Sequence, residues 1–127
     1  MRRILLCLSL LAICTLSSCS KETTYTFQNI RNWPEESSDL LANVTFFIEE
    51  YDNSGDIVAN HGVGFSESKS KQEFTASSYA EKIRVRMQFN YNGYSVSDWD
   101  SQVYYVDEGK NIDIVIDDGT SFVDNRP

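Results

Sequence analysis

The ten residues KIRVRMQFNY, Lys82 to Tyr91, alternate without a break: Ile83, Val85, Met87, Phe89 and Tyr91 take every second position, with Arg84, Arg86, Gln88 and Asn90 between them. A period of two sends the apolar set to one face of an extended strand and the polar set to the other. A helix would need apolar residues both three and four apart, and no two of these are three apart. Each large apolar side chain on such a face contributes about 1.5–3 kcal/mol when fully buried, so the face needs a partner surface. The same rhythm recurs in VTFFIEEY, where Val44, Phe46 and Ile48 oppose Thr45, Phe47 and Glu49, with Phe47 suggesting partial cover on the second face. It recurs again in KNIDIVID, with Ile112, Ile114 and Ile116 inward and Asp113 and Asp117 outward. Shorter strand candidates are YTFQNI near Tyr25, DIVAN near Ile57, QEFTA near Phe74 and QVYYV near Val103.

Turn formers separate these runs. DNSGD, Asp52 to Asp56, joins two of them, and DEGKN, Asp107 to Asn111, precedes the last. Asn92-Gly93 between Tyr91 and Tyr94 is the strongest short-range hairpin signal in the chain. Residues Pro34 to Leu41 offer one helical turn at most. About seven short strands with no amphipathic helix predict an all-β fold: a single antiparallel β-sandwich of two sheets packed face to face.

The amino terminus has a different character. Met1-Arg2-Arg3 is basic, and the 13 residues from Ile4 to Leu16 are almost wholly apolar, interrupted mildly by Ser9 and Thr15. That length suits the apolar region of a secretory signal and falls short of the roughly 20 residues of a spanning helix. Leu16-Ser17-Ser18-Cys19 then resembles the lipobox of bacterial lipoproteins: an apolar residue, two small ones and a cysteine. The resemblance implies cleavage before Cys19 and acylation of its thiol, with membrane attachment made lasting by the acyl chains. Ser20 after the cysteine, where an aspartate is absent, implies outer-membrane sorting by the rule of enteric bacteria. The expected organisation is a lipoprotein signal over 1–18, a lipidated tether over 19–24 and a β-sandwich over 25–127. The stretches FTASSYAEKIRVRMQFNY and VYYVDEGKNIDIVIDD, spanning roughly Phe74 to Asp118, resemble the small lipid-anchored immunoglobulin-like or transthyretin-like domains of Bacteroidetes. They share an alternating strand, a long aromatic-bearing connection and a final strand after a glycine-containing turn. The Cys…Trp…Cys signature of antibody-like domains is missing.

Processing at Cys19 would remove Cys7 and Cys14, leaving no free thiol for a disulfide, a zinc–thiolate site or a cysteine nucleophile. The whole chain carries a net charge of −8; loss of Arg2 and Arg3 leaves nine basic residues against nineteen acids, near −10. So acidic a surface argues against nucleic acid and against anionic lipid headgroups. No cofactor is expected. His61, in ANHGVGF, is the lone histidine and is expected at a loop or strand end, with no nucleophile motif beside it. Asp52 and Asp56 have the alternate spacing of a calcium loop, yet Ile57 and Val63 stand where such a loop wants Gly and Glu, so a hairpin turn is the simpler reading. Arg84 and Arg86 are expected to face Asp113 and Asp117 in a solvated ladder.

Aromatic residues are the more informative class. Tyr91, Tyr94, Trp99, Tyr104 and Tyr105 fall within fifteen positions. Either they fill a small core, or some face outward and stack on sugars or anchor a protein. The function expected is a lipid-anchored, non-enzymatic binding or accessory module of the cell envelope, with Tyr94, Trp99, Tyr104 and Tyr105 as the binding surface. The membrane, through lipid on Cys19, and a protein or glycan are its expected partners. The alternatives are an envelope peptidase inhibitor, or a hydrolase built on Asp98, Asp100 and Asp117.

Overall fold

The computed structural model describes residues 22–33 and 43–124. The leader, Cys19, most of the tether and the helical turn expected at Pro34–Leu41 lie outside the described residues.

Nine strands and one helical turn follow in chain order. They are β1 (Thr24–Asn29), β2 (Thr45–Tyr51), β3 (Ile57–Gly64), α1 (Phe65–Ser68), β4 (Gln72–Thr75), β5 (Lys82–Tyr91), β6 (Tyr94–Asp100), β7 (Tyr104–Tyr105), β8 (Asn111–Ile116) and β9 (Phe122–Val123). One sheet runs β4-β1-β8; the other runs β3-β2-β5-β6-β9, with β7 also on β5. The two sheets face each other across one core, as the alternating runs predict. Tyr25 and Phe27 from β1 and Ile114 and Ile116 from β8 meet Phe46, Ile48, Ile83 and Val85 from the larger sheet, all with no exposed surface.

Two details depart from expectation. The first is direction: β1 and β8 pair in parallel, from Thr24 opposite Asn111 to Asn29 opposite Ile116, so the smaller sheet is mixed. All of the larger sheet except β9 lies between these two strands in sequence. With no tight turn joining them, either direction was open, and parallel pairing needs such a long crossover. The second is the strand list. YSVSDWD, expected as a connection, is strand β6 and completes the hairpin that Asn92-Gly93 announces. The strand β7 falls within the expected QVYYV, whereas β9, two residues long, is too short to carry a period.

The arginines also find other partners. The neighbours of β5 are β2, β6 and β7, while Asp113 and Asp117 belong to the other sheet and its turn. Arg84 is buried and donates to the carbonyl of Asp100 at 3.3 Å. Arg86 donates to Glu49 at 3.2 Å, and Asp113 instead accepts from the Thr26 hydroxyl at 2.6 Å. No solvated ladder forms among them.

The fold also sets its two ends apart. The Tyr25 hydroxyl reaches Glu50, which sits opposite Ile83, and the ring of Phe27 meets Phe46, which sits opposite Met87. The start of β1 is therefore level with the start of β5. The turn at Asn92-Gly93 closes the other end, just past Tyr91, which is eight residues beyond Ile83, or about 27 Å at the usual rise of a strand.

Candidate binding site

At that far end, Asn92 has φ of 50° and Gly93 of 81°. Both are left-handed, as the two-residue hairpin turn that matches strand twist requires, and Asn and Gly are the residues that adopt it at least cost. The turn brings Tyr91 directly opposite Tyr94 on one face. They are 57% and 75% exposed. Below them on the same face Phe89 pairs with Val96, both half-buried, and then Met87 with Asp98. The smaller sheet covers this face up to about Met87 and leaves the tyrosine step outside.

The opposite face holds the hairpin rigid. The Arg86 guanidinium donates to Gln88 at 2.8 Å and to Ser97 on the facing strand at 3.2 Å, and it lies 4.3 Å over the Phe47 ring. Glu49, buried beneath, accepts from the Tyr51 hydroxyl at 2.8 Å and from the Trp99 ring N–H at 2.9 Å. Three aromatics (Phe47, Tyr51 and Trp99), an arginine and a carboxylate thus roof the outer side of the larger sheet, and the cover that Phe47 hinted at is this one. From Met87 through Ser97, eleven consecutive residues carry no charge.

The four aromatics expected as one surface do not come together. Tyr94 stands at the hairpin tip. Trp99 lies on the outer face opposite Arg86, committed to Glu49. Tyr104 is half-buried opposite Ile83 and donates to Asp100 at 3.2 Å. Tyr105 is 73% exposed but pairs with Lys82, at the other end of β5 from Tyr94. Adjacency in sequence misled here, because β6 and β7 run one after the other down the whole length of β5, so residues close in the chain are spread from one end of that strand to the other. Tyr91, not Trp99, is the residue beside Tyr94.

The acids are likewise dispersed in role. Asp98 and Asp100 share the inward face of β6, but Asp100 is buried and accepts the backbone N–H of Gln102 at 3.0 Å as well as the Tyr104 hydroxyl. Burial pushes its carboxyl upward, against the pull of those two donors and of Arg84. Asp98 is raised by burial and by neighbouring Asp124. Asp117 caps its own turn, accepting from Gly119 N–H at 2.9 Å. Asp52 Oδ1 accepts the N–H groups of Ser54 and Asp56, each at 2.9 Å, and Gly55 has φ of 84°, so this segment is the hairpin turn. Among the described residues no three metal-ligating side chains gather in one place.

His61 lies within β3, opposite Ile48, rather than at a loop or strand end. Its Nε2 is 3.0 Å from Glu50 Oε2, and its ring stacks on Phe74 at 4.7 Å. Glu50 itself is fully buried between the sheets, where it also accepts the Tyr25 hydroxyl and the Ser77 N–H, each at 2.7 Å. This pin was legible in part: Glu50 continues the inward series of Phe46 and Ile48. A cleft of about 630 Å³ opens at the same end, beside the start of β1, lined by Glu22, Ser77, Ser78, Glu81, Val106 and Glu108.

Comparison with known protein families, with curated proteins and with solved structures finds no match to this chain.

Proposed function

We propose that this chain is a lipid-anchored protein of the cell envelope, held through Cys19, and a non-enzymatic binding module whose contact point is the β5–β6 hairpin tip. The observation that carries the reading is the exposed Tyr91–Tyr94 pair on a rigid, uncharged hairpin. Tyrosine offers large contact area for only two rotatable angles, and Asn, Ser and Gly add adaptable hydrogen bonding; this is the composition of natural binding loops. The address rests on the basic-apolar leader followed by Leu16-Ser17-Ser18-Cys19. The geometry of the described domain supports the combination, since β1, the first strand after Cys19 in the chain, begins at one end while the tip stands at the other. A partner would be met on the side away from the membrane. Outer-membrane residence, from Ser20, belongs to the same proposal.

A photo-crosslinking side chain at position 94, in cells that make the protein, tests the reading. It should trap a defined species that the same probe at exposed Lys71 does not, and Tyr91→Ala should diminish the product. Equal labelling from both positions would remove the hairpin tip as the contact point.

A further inference from the structure

We infer that the Tyr91–Tyr94 step is a stacking platform for a neutral polysaccharide. The inference rests on the proposal that the hairpin tip is the binding surface, and it names the ligand class. Directly opposed residues on a strand pair have Cβ atoms about 4.5–5.5 Å apart, so both side chains leave one face of the tip close together, within the span of one or two consecutive sugar rings. The faces of aromatic rings carry partial negative charge, and the C–H groups of a pyranose present its complement.

Size decides between a sugar and a protein. A tyrosine ring buries about 150–250 Å² at most, so the pair offers at most about 500 Å². A stable protein interface needs about 800 Å² from each partner. The neighbouring Phe89–Val96 step is already half-buried and adds little. A chain of two or three sugars, by contrast, is covered by this much surface.

Charge decides which sugar. No charged side chain occurs from Met87 to Ser97, in a chain of net charge −8. Nothing at the tip would pair with a sulfate or carboxylate, and the field of the whole molecule repels polyanions. Exposed Asn92 lies in the turn that joins the two tyrosines, and exposed Asn90 and Ser95 pair on the other face of the same tip. Amides and hydroxyls both donate and accept, as sugar hydroxyls require.

Affinity electrophoresis of the purified chain in native gels tests the inference, with dextran, starch, xylan, mannan or mixed-linkage β-glucan as the neutral probes and polygalacturonate as the anionic one. At least one neutral polysaccharide should retard the protein. Tyr94→Ala should weaken the interaction tenfold or more with Tm unchanged, since the side chain is exposed, whereas Tyr94→Phe should keep it. Retardation by polygalacturonate alone, or retardation indifferent to Tyr91→Ala and Tyr94→Ala, would overturn the inference. No retardation by any neutral probe would overturn it too. In that case, crosslinks at position 94 that depend on Tyr91 would leave the hairpin-tip reading standing with a protein as ligand, and their absence would remove both.

Discussion

Tyr25→Phe removes one oxygen from the centre of the molecule and little else. The ring stacks on Phe74 at 5.3 Å and is fully buried, and phenylalanine keeps that packing. Lost is the hydroxyl bond to Glu50 at 2.7 Å, one of three contacts that gather at this buried carboxylate. Burial, with Glu50 beside it, holds the Tyr25 phenol far above the ordinary tyrosine range, so the hydroxyl stays the donor at every pH of interest. A hydrogen bond to a charged group contributes about 1.5–3 kcal/mol, and here no water can replace the donor. We therefore expect a loss of about 2 kcal/mol. For a domain of this size that lowers Tm by roughly 8–16 °C. Equilibrium unfolding in urea measures it, with an unchanged slope showing that the unfolded state is not altered. The Tyr104→Phe variant is the internal comparison: its bond to Asp100 is longer, 3.2 Å, and half-buried, so about 1 kcal/mol is expected. A cost below about 0.5 kcal/mol for Tyr25→Phe, or a larger one for Tyr104→Phe, would refute the argument that Glu50 pins the two sheets together.

Three further outcomes follow from the same structure. Gly93→Ala meets no atom within 4 Å of its new Cβ, so its cost is the strain of a φ of +81° alone, about 1 kcal/mol in urea unfolding; a gain in stability would show that the turn is not left-handed. Asp100→Asn tests burial against pH. The folded state holds the Asp100 proton more tightly than the unfolded chain does, so this contribution is fully present below the ordinary carboxyl value near 3.9 and is lost as pH rises through the raised folded value. The variant lacks that loss, and its stability relative to the parent should climb as the pH rises above about 4; a gap independent of pH would contradict it. Finally, the intact mass of the membrane-bound protein should correspond to a chain starting at Cys19 plus acyl groups. Cys19→Ala should leave the membrane fraction, and an unlipidated parent chain with a free thiol would refute the address.

Much of the architecture follows from alternation alone. Ile83, Val85, Ile114, Phe46 and Ile48 face the core because a strand repeats every two residues, and the Asn92-Gly93 turn was legible because few residue pairs accept two left-handed conformations. These are local properties, carried by neighbours in the chain, and the sequence by itself determined them. The proposed leader and its border at Cys19 are read in the same way, from a local apolar run and the polar sequence that follows it. What only the tertiary structure decided is pairing between segments far apart. That β8 lies parallel to β1, that Arg86 meets Glu49 rather than an aspartate of β8, and that Glu50 gathers Tyr25, His61 and Ser77 each depend on which strands become neighbours. The same holds for the aromatics. Tyr94 and Tyr105 are eleven positions apart in the chain and stand at opposite ends of β5, while Tyr91 and Tyr94 meet across a turn. Side chains are chosen locally, but a surface is made by whatever the fold sets side by side, and no period in a single strand encodes that choice.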